Sequence, residues 1–202
     1  MAKDTKQRIL DEALIMFARR GYEGTNMREL AQTLGLGKSA LYKHFESKED
    51  IWNSMLDKIE ARYSEGFGSD DNMPPVPDSC EEFVEMSMRM IDFTVHDEQV
   101  VLVRRLLLTE QFRDDRARSL ASEHFLNRLE RIFAHVFQGM MDKGLLRRAD
   151  PDLLALAYAA PVSALIMQRD RYPESEPEVM ERIRTFIARF VEAHSEKEAS
   201  RG

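Results

Sequence analysis

Residues 25–45 read Thr25-Asn-Met-Arg-Glu-Leu-Ala-Gln-Thr-Leu-Gly-Leu-Gly-Lys-Ser-Ala-Leu-Tyr-Lys-His-Phe45. Thr25 or Asn26 supplies an N-cap, and Asn26 with Glu29 three residues later has the form of a capping box. The helix opened there carries Met27, Leu30, Ala31 and Leu34 on one stripe and ends at Gly35, after barely two turns. A second short helix over 38–45 follows at once. Ala31 is small enough for the two helices to cross closely, and Gly35 suits a turn that needs positive φ. Leu41, six residues past Gly35, becomes the core anchor of the second helix. Lys38, Ser39, Tyr42, Lys43 and His44 are then left facing outward. This is the layout of a helix-turn-helix. Lysines and a tyrosine hydroxyl can donate to phosphate, and Lys43 or His44 can reach base edges. Taken alone, Tyr42 and Phe45 would also suit the core of a small bundle.

The flanking segments extend the same helical pattern. Upstream, residues 5–20 place Leu10, Ala13, Leu14 and Phe17 at three-and-four spacing, with Gly21 as a C-terminal stop. Downstream, Ser47 caps a fourth helix with Trp52, Met55, Leu56 and Ile59 inward, and Lys48 stands at its start, where free N–H groups and the helix dipole favour a phosphate oxygen. Residues 66–77, with two glycines and three prolines, break every period and mark a junction. Beyond it, helices are expected over 79–96, 100–112, 114–143 (closed by Gly144), from Pro151 behind an Asp150 cap, and from Pro177 to His194. Val100 to Val103 is apolar enough for a strand, but the run continues past strand length, so helix is expected. The chain is therefore read as all-α with about nine helices. Residues 4–64 form an N-terminal domain of three helices joined through a fourth, 65–78 a linker, and 79–196 a second helical domain.

Composition agrees. With 202 residues, 43% of them apolar, the chain can bury a sizeable core. Its opening, Met-Ala-Lys-Asp-Thr-Lys-Gln-Arg, lacks the apolar stretch of a secretion signal, so a cytoplasmic address is expected. Cys80, the single cysteine, agrees with a reducing compartment and offers no cluster for zinc. Leu153 to Gln168 is uncharged but shorter than the roughly 20 residues that span a bilayer, and reads as a buried helix rather than a membrane segment. The net charge of −7 argues against nucleic acid until it is divided: residues 1–48 hold nine Lys/Arg against six Asp/Glu, so a basic head stands on an acidic body.

Three stretches carry a resemblance: Ile-Leu-Asp-Glu-Ala-Leu-Ile-Met-Phe (9–17), Gly-Tyr-Glu-Gly-Thr (21–25) and Leu-Gly-Leu-Gly-Lys-Ser-Ala-Leu-Tyr-Lys-His-Phe-Glu-Ser-Lys-Glu-Asp (34–50). Over about residues 4–64 the chain resembles the DNA-binding domain of the tetracycline-repressor (TetR) family. The resemblance implies a sequence-specific transcriptional regulator, commonly a repressor. It further implies a homodimer on a pseudo-palindromic double-stranded operator, released when a small-molecule effector binds between helices of the second domain. By it, Thr25, Asn26, Arg28, Lys38, Ser39, Tyr42, Lys43, His44 and Lys48 inherit the DNA interface. One departure stands out: the position after Leu36, usually serine or threonine in the family, is Gly37, and Ser39 stands where glycine is frequent.

For the second domain the expectations are looser. Methionine-rich and phenylalanine-rich stretches suit an adaptable pocket, although such stripes are more often plain core. The expected lining is Met90, Phe93, Arg104, Phe112, His124, Phe125, Arg128 and Met167. Small residues on the eighth helix (Ala155, Ala159, Ala160, Ser163 and Ala164) and a bulky stripe on the ninth point to a four-helix dimer interface through Ala155, Ala159, Ser163, Ile183, Phe186 and Phe190, the alternative being that both helices simply complete the core of the monomer. No catalytic constellation is present in the sequence: there is no phosphate-binding glycine loop, no Gly-x-Ser-x-Gly and no His-Glu-x-x-His. The chain is therefore read as a non-enzyme without cofactor or metal; His124 and His135, eleven residues apart, are too distant along a helix to share an ion. Two alternatives stand beside this reading: a helical enzyme using carboxylates spread over Glu81, Glu85 and Asp92, and a helical interaction protein that keeps the fold but acts mainly by binding another protein.

Overall fold

The computed structural model describes residues 2–66 and 73–196, with side chains described for 4–61 and 73–196. Among the described residues ten α-helices follow in order: α1 (Ala2–Arg20), α2 (Met27–Thr33), α3 (Lys38–Tyr42), α4 (Lys48–Gly66), α5 (Cys80–His96), α6 (Glu98–Glu110), α7 (Asp115–Ser122), α8 (Arg128–Asp142), α9 (Pro151–Arg171) and α10 (Glu176–His194). The all-α reading holds, and Val100 to Val103 lie inside α6. Residues 67–72 of the expected linker lie outside the described residues.

Local chemistry explains the helix boundaries. The helix stops expected at Gly21, Gly35 and Gly144 have φ of +76°, +66° and +72°, the left-handed region where a Cβ is penalised. Asn26, Ser79 and Asp150 each accept a backbone N–H from the first turn of their helix. The capping box at Asn26 is only half made: Glu29 turns away and receives the Arg20 guanidinium at 3.0 Å. The helix expected over 114–143 is divided. Glu123–Asn127 form a π-helical turn between α7 and α8, while the backbone stays helical at both junctions.

Two compact units result: α1–α4 with α6 and α7, and α5 with the π turn, α8, α9 and α10. The division differs from the sequence reading of 79–196 as one domain, because Val100, Val103, Leu106 and Leu107 of α6 are buried and α6 packs on α1. In the first unit, Ile9, Ala13, Phe17, Leu30, Leu41, Ile51 and Leu56 are fully or nearly fully buried. Phe17, Tyr22 and Trp52 form a ring cluster with centroids 5.1–5.6 Å apart. In the second unit, Phe83, Phe133, Phe137 and Tyr158 stack at tilted and edge-on angles within a core shared with Ile183, Ile187 and Val191. α9 is long and apolar enough to cross a membrane by length and composition alone. It is not the fully buried helix the sequence suggests. Leu154, Ala155, Tyr158, Val162 and Ile166 face the core, while Leu153 and Leu156 on its other side are exposed.

Candidate nucleic-acid interface

The recognition helix is held from beneath. Leu41 is 0% exposed and Phe45 nearly so, which fixes α3 against the buried Leu30 and Ala31 of α2. With the anchor inward, the three-to-four periodicity turns Lys38, Ser39, Tyr42 and Lys43 to solvent, and His44 is half-buried at the rim. The helix proper is shorter than the expected 38–45: it ends at Tyr42, and His44 and Phe45 N–H groups both return to the Leu41 carbonyl. Lys38 Nζ lies 5.6 Å from the Tyr42 ring centre, so the two present cation and phenol together. Gly37 caps α3 without a side-chain hydrogen bond, so the hydroxyl cap a serine or threonine would supply is missing. Nothing lies within 4 Å of where its Cβ would stand.

The remaining expected contacts divide by what their side chains already do. Arg28 is exposed on α2. Asn26 is exposed, but its Oδ1 is spent on the Glu29 N–H at 2.9 Å. Thr25 is 2% exposed, and its hydroxyl donates to the Gly21 carbonyl at 3.1 Å. Lys48 differs most from the sequence picture. Its ammonium donates to the carbonyls of Tyr22 (2.9 Å) and Thr25 (3.2 Å) and sits 4.1 Å from the centre of the Tyr22 ring. Lysine at the first turn of a helix is unfavourable to the dipole; here the carbonyls and the ring compensate. Burial, with the charges of Glu49, Glu23 and Asp114, raises the Tyr22 phenol above its ordinary range.

One residue of this unit escaped the sequence reading. Glu110, 2% exposed, closes α6 and accepts the Tyr22 N–H at 3.1 Å, 88 residues away. The only signal for it was a carboxylate continuing the apolar spacing of Val103 and Leu107.

The expected pocket residues are divided between the two units. Arg104 and Phe112 belong to the first unit, Arg104 buried and Phe112 81% exposed at the turn after α6. The others lie in the second: Met90 and Phe93 on α5, His124 and Phe125 in the π turn, Arg128 opening α8, and Met167 on α9. Spacing along one helix could not show that α6 joins a different core. His124 is buried; burial first, then the Arg128 charge, lower its pKa to about 4, so the ring is neutral near pH 7. Glu123 beside it receives the Arg131 guanidinium, which lowers the carboxyl below its usual range. Phe93 lines a surface groove of about 550 Å³ with Met88, Arg89, Asp92, His96 and Arg184.

The expected dimer residues need a similar correction. Ala155, Ala159, Ile183 and Phe190 are buried within the unit itself, while Ser163 and Phe186 are half-buried. The stripe that sequence periodicity finds is the one facing the molecule's own core. The opposite side of α9 carries Leu153, Leu156, Ala157, Ala160, Pro161 and Ala164, all exposed.

A short outward-facing helix with two lysines and a tyrosine, seated on a buried leucine after a tight glycine turn, defines the class of helix-turn-helix DNA-binding proteins. Residues 9–55 match the family described as bacterial regulatory proteins, tetR family. The chain is similar to the HTH-type transcriptional regulator AcrR of Shigella flexneri, 34% identical over 64 residues, covering 32% of this chain and 30% of that protein. It is also similar to IcaR of Staphylococcus aureus (strain Newman), a negative transcriptional regulator of the biofilm operon icaADBC. That match is 38% identical over 51 residues, 25% of this chain and 27% of that protein. The chain thus spans less than a third of these curated relatives. Similarity in structure extends further. A TetR transcriptional regulator from Chloroflexus aurantiacus J-10-FL superposes with a TM-score of 0.71 at 19% identity, covering 96% of this chain and 97% of that one. A Saccharomonospora viridis protein solved with choline gives 0.70 at 20% identity over 96% and 100%. At these identities the second unit shares their fold.

Proposed function

We propose that this chain is a sequence-specific DNA-binding transcriptional regulator, a repressor that leaves its operator when a small molecule binds the second unit. The carrying observation is the exposed set Lys38, Ser39, Tyr42 and Lys43 on a helix pinned by buried Leu41, within a segment that matches the tetR family. Asn26, Arg28 and His44 extend this surface. Thr25 and Lys48 contribute by shaping the turn beneath it. The basic stretch 1–48 supplies the positive charge that draws the first unit to the phosphates.

A homodimer on a pseudo-palindrome follows, with two copies of α3 about 34 Å apart on one face of the duplex. For the interface we propose the outward row of α9 together with Glu181, Arg182, Thr185 and Phe186 of α10, which border a groove of about 610 Å³ with Pro161, Ala164 and Leu165. Small side chains on α9 permit the close approach that a four-helix contact requires. Such a regulator acts in the cytoplasm, and the reading assigns it no catalytic role. The choline complex among its structural relatives supports a small-molecule effector without specifying which one this chain takes.

The test is fluorescence anisotropy with two duplexes, one selected by the wild-type protein from a random-sequence pool and the other scrambled, each titrated over a salt series. Specific binding that falls steeply with salt, and that Tyr42→Ala and Lys43→Ala weaken while the dimer persists, is the expected result. Equal affinity for both duplexes refutes sequence-specific regulation, and salt-insensitive capture of a protein partner would favour an interaction protein instead.

A further inference from the structure

We propose that Glu110 is a positioning residue for DNA recognition: its carboxylate holds the turn between α1 and α2 and thereby sets the orientation of the helix-turn-helix. The inference rests on the DNA-binding reading and adds to it a residue outside the matched domain.

Three observations carry it. First, Glu110 stands where the pattern calls for an apolar side chain. Val100, Val103, Leu107 and residue 110 follow one stripe of α6, and the first three are buried. A leucine there would extend the stripe, whereas a buried carboxylate must be desolvated and compensated. Such breaks of a local rule concentrate where function requires them.

Second, the carboxylate spends itself on one backbone amide, the Tyr22 N–H at 3.1 Å. The same residue's carbonyl accepts from Lys48 of α4 at 2.9 Å. Tyr22 is therefore gripped on both sides, by α6 through its N–H and by α4 through its C=O. It lies four residues ahead of the Asn26 cap, so fixing its peptide planes fixes the direction in which α2 departs, and α3 packs on α2.

Third, Gly21 makes room for this contact. Its φ of +76° turns the chain out of α1, and a Cβ at that position would stand 3.0 Å from the Glu110 carboxylate oxygen. Glycine is favoured here by the backbone conformation, and its missing Cβ leaves the carboxylate room to approach without a shift.

The experiment compares Glu110→Gln, Glu110→Leu and Gly21→Ala with the wild type. It uses the duplex that the wild type selects from a random pool and its scrambled counterpart. The readout is the ratio of specific to non-specific affinity, which a purely structural role would not move in the folded fraction. Glu110→Leu removes the acceptor and is expected to lower the ratio about tenfold, with scrambled-duplex affinity within about twofold of the wild type because the phosphate-facing lysines are intact. Glu110→Gln keeps an oxygen that accepts the Tyr22 N–H and should rescue the ratio to within about threefold. Gly21→Ala strains the positive-φ turn and crowds the carboxylate oxygen with a methyl 3.0 Å away, and should lower the ratio with α6 unchanged. A wild-type ratio in Glu110→Leu overturns the proposal, as does an equal fall in Glu110→Gln. A wild-type ratio in Gly21→Ala overturns it whether or not Glu110→Leu folds. Absence of preference in the wild-type protein overturns this proposal and the DNA-binding reading together, while a preference that survives in the variants overturns this one alone.

Discussion

Lys48→Met separates two roles for one lysine. Sequence places its ammonium at the start of α4, where an anion is welcome, and so aims it at a phosphate. The structure has it occupied instead, on the carbonyls of Tyr22 and Thr25 and over the Tyr22 ring. Methionine keeps most of the stem and removes the charge together with its N–H donors. Hydrogen bonds from a charged donor contribute about 1.5–3 kcal/mol each where buried. This group is half-buried, the two bonds share one ammonium, and the cation–π contact adds about 0.5–1 kcal/mol. Taken at the low end, and allowing for the unfavourable helix-dipole position that the substitution relieves, the loss is about 2 kcal/mol. For a chain of this size 1 kcal/mol moves the melting temperature by about 2–4 °C, so the midpoint should fall by about 4–8 °C. Lys43→Met supplies the contrast. Its side chain is exposed and should leave the midpoint within about 1–2 °C while reducing the salt slope of DNA affinity by about one unit, the signature of one lost phosphate contact. Circular-dichroism melts and the anisotropy salt series measure both quantities on the same preparations. If Lys48→Met melts with the wild type and loses a unit of slope, its ammonium belongs to DNA and the reasoning from the turn is wrong.

Other substitutions probe the second unit. Gly139 of α8 lies against the segment before α5, where a Cβ would overlap both methyls of Val76, standing 2.7 Å from Cγ1; Gly139→Ala should destabilise by about 1–3 kcal/mol despite its better helix propensity, and Val76→Ala in the same chain should restore most of the loss in urea melts. His124 and His96 titrate with opposite signs. Burial lowers His124 to about 4, so the stability it contributes is complete above the unfolded value near 6.5 and is lost as pH falls toward 4; His124→Gln should flatten that acid limb of the urea midpoint. The hydrogen bond to Glu176 raises His96, aided by Asp92, so its contribution is present below about 6.5 and disappears as pH rises through the raised value; His96→Gln should remove that decline. Leu156→Glu, on the exposed side of α9, should leave the melting midpoint of the monomer nearly unchanged and yield a monomer by light scattering, with a wild-type dimer mass refuting the proposed face.

Much of the first unit was legible because its signals are local. A glycine that must adopt positive φ, an asparagine that must cap, and a leucine that must be inside act within a few residues of themselves, and Gly21, Gly35, Asn26 and Leu41 stand as the pattern requires. The misreadings concern distance. Lys48 has a partner 26 residues back and Glu110 one 88 residues back, and neither separation leaves a trace in periodicity. The π turn at 123–127 shifts the hydrogen-bond register without changing which residues are apolar, so a single helix was the natural reading of 114–143.

α9 shows how an apolar pattern can be right in composition and wrong in orientation. Leu154, Tyr158, Val162 and Ile166 repeat every four residues and fill the core, while Leu153, Leu156, Ala157, Ala160, Pro161 and Ala164 run along the other side of the same helix and stay exposed. A helix with one buried face ordinarily carries charge on the opposite face. From Leu153 to Gln168 this one carries none. Hydropathy averages the two rows and reports a buried helix, and small-residue spacing then selects Ala155 and Ala159 because they too are small. Packing separates the rows: the bulky side chains are consumed by the monomer core, and the uncharged row left over is shallow, with only methyl-sized side chains and a proline between Leu156 and Leu165. Such a surface gains little from water and admits a second helix closely. The absence of charge along the outer row, rather than the presence of alanines along the inner one, is the sequence feature that bears on a partner: of the expected small residues it keeps Ala160 and Ala164, it adds Leu156, and it removes Ala155, Ile183 and Phe190 from the expected contact.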